Sequence, residues 1–160
     1  MDVLLTNGRR IKCLTCMDDF TKECLTITAL SVVQSAGVQV TRVLDSITLF
    51  RGYPTTIRAE QDPKFTCRAL DQWVFVHGVE LRLIQPQNGL IESFNGRFRD
   101  ECPNEHWFSD IAYVRKAIND WRQDYNERRP HTSLDYQTPA EFAAGWRNGK
   151  YGEKTTDITN

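Results

Sequence analysis

The spacing of apolar residues changes along this chain, and each change marks an element. Arg9–Cys16 predicts a strand, Met17-Asp18-Asp19-Phe20-Thr21-Lys22 a polar turn, and Glu23–Thr28, rich in β-branched residues, a second strand. The pair reads as a hairpin. From Gly37 to Phe50, Val40, Val43, Leu44 and Ile47 fall at helical spacing, and Gly52-Tyr53-Pro54 stops that helix. Thr55–Ala59 is a short buried strand. A helix is expected to begin at Pro63, where the missing N–H costs nothing, with Phe65, Leu70, Trp73 and Val74 inward and Gly78 at its end. Val79–Ile84 is a strand, and Pro86 and Gly89 break the chain before the next helix. Ser109 and Asp110 are candidate caps for a long helix to Tyr125, striped by Ile111, Val114, Ile118, Trp121 and Tyr125. After a turn at Arg129-Pro130 comes a short helix, Pro139–Trp146. Trp73 and Trp121 belong to the core, while Trp107 and Trp146 suit the cover of a helix end. The order of elements predicts a mixed α/β layer structure in residues 1–146, with a polar, flexible tail over 147–160.

Composition narrows the functional classes. The 160 residues carry a net charge of −1, with 40% hydrophobic and 26% charged residues, which suits one globular domain. No global basic field draws in nucleic acid, so a DNA role must rest on local patches. Arg97, Arg99, Arg115, Lys116, Arg122, Arg128 and Arg129 give the second half such a patch. Five cysteines, an odd number, argue against a disulfide framework. No membrane span or signal peptide is visible, so a cytoplasmic setting is expected. Cys13 and Cys16 form a CxxC, but in a strand they point to opposite faces and cannot share a zinc ion. His77, His106 and His131 lack metal-ligand spacing.

The most informative stretch is Ile91-Glu92-Ser93-Phe94-Asn95-Gly96-Arg97-Phe98-Arg99-Asp100-Glu101-Cys102-Pro103. Ile91, Phe94, Phe98 and Cys102 make an apolar helical stripe; Glu92, Asn95 and Arg99 make a polar one beside it. An acid, an amide and a guanidinium on one face suit a metal ion and a phosphate backbone, although solvated i,i+3 and i,i+4 pairs account for the same spacing. The words themselves go further. Ile91–Cys102 closely resembles the segment that holds the last acid of Asp-Asp-Glu transposases encoded by two-frame bacterial insertion sequences. Gly8–Ile11, Asp18–Cys24, Arg51–Pro54, Ile57-Arg58, Ala69–Trp73, Trp121–Asn126, Arg129–His131 and Thr138–Phe142 match the same family in the same order.

That resemblance implies a ribonuclease-H-like integrase core, a mixed sheet flanked by helices, entered at or just after its first strand. It also implies Mg²⁺, with Mn²⁺ as a substitute. Two such ions bound by three carboxylates from separate elements would drive phosphodiester cleavage and strand transfer at insertion-sequence ends. Glu92 matches the final acid. Glu60 stands where the family has Asp, which moves its carboxylate by about 1.5 Å, against a tolerance in productive sites of about 0.5 Å. Asp62 replaces a Gly expected in a tight turn and is a possible substitute ligand; Lys64 replaces Glu. For the first acid, either Asp2 serves after a short deletion, or the chain begins just past it. Between Glu60 and Glu92 stand 31 residues, fewer than in the family. The shortfall falls in Gln85–Gly89. Asn95, Arg97, Arg99, Arg122, Arg128, Arg129 and His131 would contact DNA at insertion-sequence ends and target, with a homo-oligomer or a transposase partner also implied. Two functions follow: a metal-dependent DNA-cleaving and strand-transferring enzyme, or an inactive remnant that at most binds DNA or another transposase chain.

Overall fold

The structure, a computed structural model, describes residues 2–4, 10–30, 34–84, 89–105, 111–149 and 157–159. Its elements are β1 (Asp2–Leu4), β2 (Arg10–Asp18), β3 (Cys24–Ala29), α1 (Ala36–Arg51), β4 (Thr56–Glu60), α2 (Arg68–His77), β5 (Glu80–Ile84), α3 (Gly89–Glu105), α4 (Ile111–Arg128), a 3₁₀ turn (Thr132–Leu134), α5 (Pro139–Arg147) and β6 (Asp157–Thr159). The expected α/β layers are present.

Alternation along β2 divides the core in two. Ile11, Cys13 and Met17 face α3 and α4, meeting Ile91, Phe94, Phe98, Val114, Ile118 and Trp121. Leu14 and Cys16 face α1 and α2, meeting Val40, Leu44, Ile47, Leu70 and Trp73. Cys13 and Cys16 thus lie on opposite faces, as their spacing requires. Each face buries enough apolar surface to hold its helix pair against the sheet.

The strand order is β3–β2–β6–β4–β5. β2 and β3 are antiparallel; β4 and β5 are parallel, joined through α2. Between β2 and β4 lies β6, three residues of the segment that composition assigns to a polar tail. It runs antiparallel to β2 and parallel to β4. β1 also pairs antiparallel with β2, at Arg10–Lys12.

Two local expectations change. Met17 and Asp18 belong to β2 and are both 0% exposed, so the turn starts later than polarity suggested. Its chemistry is internal: Asp18 Oδ1 accepts the Phe20 and Thr21 N–H groups at 2.9 and 3.1 Å. The second change concerns Pro63, which does not start a helix. Asp62 O accepts the Phe65 and Thr66 N–H groups in a single turn, and extended Cys67 (φ −123°) delays α2 to Arg68. Packing is close there: a Cβ at Gly37 would lie 2.2 Å from Cys67 Sγ and force that side chain to move. α2 ends as expected at Gly78, which takes the left-handed φ of 65°. Trp73 ties α2 to α1, its indole N–H donating to Asp45 Oδ1 at 2.6 Å. α5 opens with a capping box between Thr138 and Glu141. Trp146, on α5, packs against Phe20 at the β2–β3 turn, ring centroids 4.9 Å apart, rather than covering a helix end. Trp107 lies outside the described residues.

Candidate functional site

Helix α3 presents the expected amphipathic division. Ile91, Phe94, Phe98 and Cys102 are between 0% and 2% exposed. Phe94 and Phe98 meet the Trp121 ring edge-on at 5.3 and 5.0 Å, and Phe94 meets Tyr125 at 4.7 Å. This locks the rotation of α3 and turns Glu92, Arg97 and Arg99 to solvent. Asn95 is half-buried, and its Oδ1 is buried without a hydrogen-bond partner.

Glu60 ends β4. Ile57 and Ala59 face α1 and α2, so by alternation Glu60 projects toward the α3 side of the sheet. Asp62 follows in a turn in which its own N–H donates to Glu60 O at 2.8 Å. Its φ is not positive, so glycine's freedom is not required at position 62. Oδ1 of Asp62 accepts the Lys64 N–H at 3.0 Å and Oδ2 accepts from Lys64 Nζ at 3.1 Å. Partial burial pushes the Asp62 carboxyl up, but the Lys64 bonds and charge, together with Lys12, outweigh it and leave the group below its ordinary value. A cleft of about 450 Å³ opens here, lined in part by Lys12, Cys13, Asp62 and Lys64. Asp62 is thus paired with Lys64 in this structure.

Asp2 is placed by register. Arg58, Thr159 and Met17 share one level across the sheet. Glu60 is therefore level with Thr15, two residues on, whereas Asp2 is level with Lys12. Three further residues at about 3.3 Å each put Asp2 about 10 Å along the strand direction from Glu60. Gln85–Asn88, where the loop is short, lies outside the described residues.

The expected basic residues divide. Arg97, Arg99 and Arg128 are exposed. Arg129 is engaged: it pairs with Glu101 and with Asp124 (2.9 Å) and lies over the Trp121 ring at 5.0 Å. Arg122 donates to Asn119 Oδ1 at 3.1 Å and to Cys24 O at 3.5 Å. His131 meets the Tyr125 ring edge-on at 5.1 Å. Burial, then the charges of Arg97, Lys22 and Arg129, push its imidazole below the ordinary value.

Two polar features did not appear in the sequence reading. Asp18, fully buried, pairs with Arg51, which also pairs with Glu23 at 2.6 Å. The Asn126 amide grips the edge strand: Oδ1 accepts the Cys24 N–H at 2.8 Å and Nδ2 donates to Cys24 O at 2.9 Å. Both lie in motifs that the sequence already flagged, and the available signal was a polar residue at the border of an apolar stripe. Asp18 thus holds structure rather than chemistry, and Asn126 caps a sheet edge that is otherwise open to pairing.

Hard carboxylate oxygens at Glu60 and Glu92 suit Mg²⁺ in type. Yet no three His, Cys, Asp or Glu side chains among the described residues gather closely enough to hold a metal ion. Among the described residues, Glu60 and Glu92 are the carboxylates of the candidate set whose type and side of the sheet suit such an ion. Among the described residues, no helix is long and apolar enough to cross a membrane.

Comparison with known proteins agrees with the fold and the motifs. Residues 1–89 and 77–139 each match a model described as "Integrase core domain". An uncharacterized 31.7 kDa protein of insertion element IS407 from Burkholderia multivorans is 56% identical over 147 residues, covering 89% of this chain and 52% of that protein. A 39.2 kDa counterpart from IS476 of Xanthomonas euvesicatoria is 50% identical over 147 residues, covering 89% and 42%. The chain spans about half the length of these relatives or less. Its fold is similar to the HTLV-2 integrase catalytic core solved with magnesium (TM-score 0.72, 12% identity, covering 89% of this chain and 90% of that one). It is also similar to the BIV integrase core (TM-score 0.71, 14% identity, covering 94% and 95%). The chain belongs to the integrase core family, and it is similar to proteins of bacterial insertion elements.

Proposed function

We propose that this chain serves DNA transposition as a core that holds DNA but does not by itself complete strand transfer. The observation that carries this reading is the register of the carboxylates. Glu60 and the Glu92 helix lie toward one side of the sheet, while Asp2, the candidate for the third acid, sits three residues past the level of Glu60. An offset of about 10 Å along the strand direction argues against one compact metal cluster drawing on both residues. The altered residue at 60 and the pairing of Asp62 with Lys64 add to this. Mg²⁺ would lower the barrier of in-line phosphodiester displacement in a complete cluster. Here Glu60 and Glu92 would hold it loosely, and Mn²⁺, less demanding of geometry, would be tolerated better.

DNA contact would fall to Arg97, Arg99 and Arg128, the exposed members of the residues expected to touch DNA. Asn95 would orient a phosphate or base edge beside them. Three phosphate contacts give a slope of about −3 in log affinity against log salt. The test uses labelled insertion-element end duplexes. Weak, salt-dependent binding is expected, with no strand transfer in Mg²⁺ and at most slight nicking in Mn²⁺. Joining of ends in Mg²⁺ by the unmodified chain overturns this reading.

A further inference from the structure

Lys22, Asp135 and Tyr136 are the non-glycine residues with positive φ among those described, at 58°, 53° and 60°. Asp tolerates this left-handed conformation, but a bulky Tyr is held there against its own preference. The loop that follows the 3₁₀ turn imposes it. The His131 N–H donates to Gln137 O at 3.0 Å, and His131 O accepts the Leu134 and Tyr136 N–H groups at 3.0 and 2.9 Å. Leu134 is buried, and the capping box of Thr138 and Glu141 fixes the chain beyond. The ring gains no burial in return for the strain, because Tyr136 stands 75% exposed. Its surroundings are basic. Arg97, Lys22 and Arg129 lie close enough to His131, whose carbonyl holds Tyr136, for their charges to lower the imidazole. Lys22 is paired with Asp19, and Arg129 with Glu101 and Asp124, while Arg97 is exposed. Asp135, next to Tyr136, is exposed as well. Its carboxylate repels a phosphate placed directly over the loop, but not the uncharged face of a base. The two parts of a nucleotide are thereby sorted, phosphate toward Arg97 and base toward Tyr136.

We propose that Tyr136 is a stacking platform for an unpaired DNA base, set beside the phosphate contact of Arg97. The site deepens the proposed function and rests on the reading that this chain holds DNA. An aromatic ring stacks on any base, so the platform selects for an unpaired base rather than for a sequence. Inside a duplex the faces of a base are covered by its neighbours, and exposing them costs unstacking and unpairing. Frayed or single-stranded ends are therefore preferred over blunt ones. The pinned loop adds to the affinity, since the backbone that carries the ring is already ordered before DNA arrives.

The probes are fluorescein-labelled insertion-element end duplexes, one blunt and one with a short single-stranded overhang, titrated into the full chain by anisotropy. A second copy of the overhang probe carries 2-aminopurine in the overhang in place of fluorescein, and its emission reports stacking. The overhang duplex should bind about tenfold more tightly than the blunt one, and the 2-aminopurine emission should fall on binding. Tyr136→Gly should lose both the preference and the quenching. Glycine accepts the positive φ, so this variant keeps its fold, which its Tm checks. Tyr136→Trp retains a large ring and should keep both. Arg97→Gln should weaken the two duplexes alike and reduce the salt slope by about one. Equal binding of the two duplexes by the unmodified chain overturns the stacking site and leaves the holding of DNA intact. A preference that survives in folded Tyr136→Gly overturns it as well. Binding of neither duplex overturns the proposed function itself, and the stacking site with it.

Discussion

Helix α3 is built from one continuous stretch of sequence, whereas the strands that pair with β2 beside β4 come from segments far apart in the sequence. The first region holds itself in place: four residues of one stripe are almost fully buried against α4 and the sheet. The second depends on three-residue strands, each short for a sheet interior. Both regions border the candidate site. The difference shows that one element bordering the candidate site is anchored by its own stripe, while another exists only through pairing with distant strands.

The largest expected effect tests the well-built half. Phe98, 0% exposed and edge-on to Trp121, fills space that no neighbour can reclaim cheaply. Phe98→Ala should cost about 3–5 kcal/mol, read by urea denaturation; a loss under about 1 kcal/mol would mean that α3 is not anchored as described. Next comes the buried acid under the turn. Asp18→Ala strands Arg51 and the Phe20 and Thr21 N–H groups, and should cost about 3 kcal/mol. A companion Arg51→Met change should add less than its own single-variant cost, because the two residues share one ion pair, although Arg51 also pairs with Glu23.

The sequence showed α3 well because its information is local: period, flanking breakers and a motif all lie within Ile91–Pro103. The β2–β3 hairpin, α1, α4 and the stop at Gly78 were legible for the same reason. What local pattern cannot show is pairing between distant residues. Nothing in Asp157-Ile158-Thr159 reads as a strand alone, and it becomes one only where β2 and β4 leave an edge on each side. The same limit hid the Asn126 grip on Cys24, which spans 102 positions, and the capture of Arg129 by Glu101 and Asp124. Asp62 was misleading because the family's glycine suggested a strained backbone, whereas the turn is satisfied with negative φ and a lysine partner.

Smaller effects sharpen the contrast from the weaker side. Ile158→Pro removes backbone pairing from β6 and should cost about 1–2 kcal/mol, less than either core change, because one or two hydrogen bonds are lost. Equal damage from Ile158→Pro and Phe98→Ala would erase the distinction between the two regions. The smallest expected effect is a pH response. Burial lowers the His131 imidazole in the folded state, so the unfolded chain binds the proton first. This contribution is complete above about pH 6.5 and falls as the pH drops through the depressed folded value. His131→Phe should flatten that part of a Tm-against-pH curve.

The central claim, that Asp157–Thr159 pairs between β2 and β4 although nothing in its local sequence marks a strand, is tested most directly by amide hydrogen exchange on the unmodified chain. The account predicts that the Ile158 and Thr159 amides exchange far more slowly than in an unstructured peptide, and that the β1 amides are protected with them. Exchange of Ile158 and Thr159 at the rate of a free peptide, with β4 still protected, would contradict it.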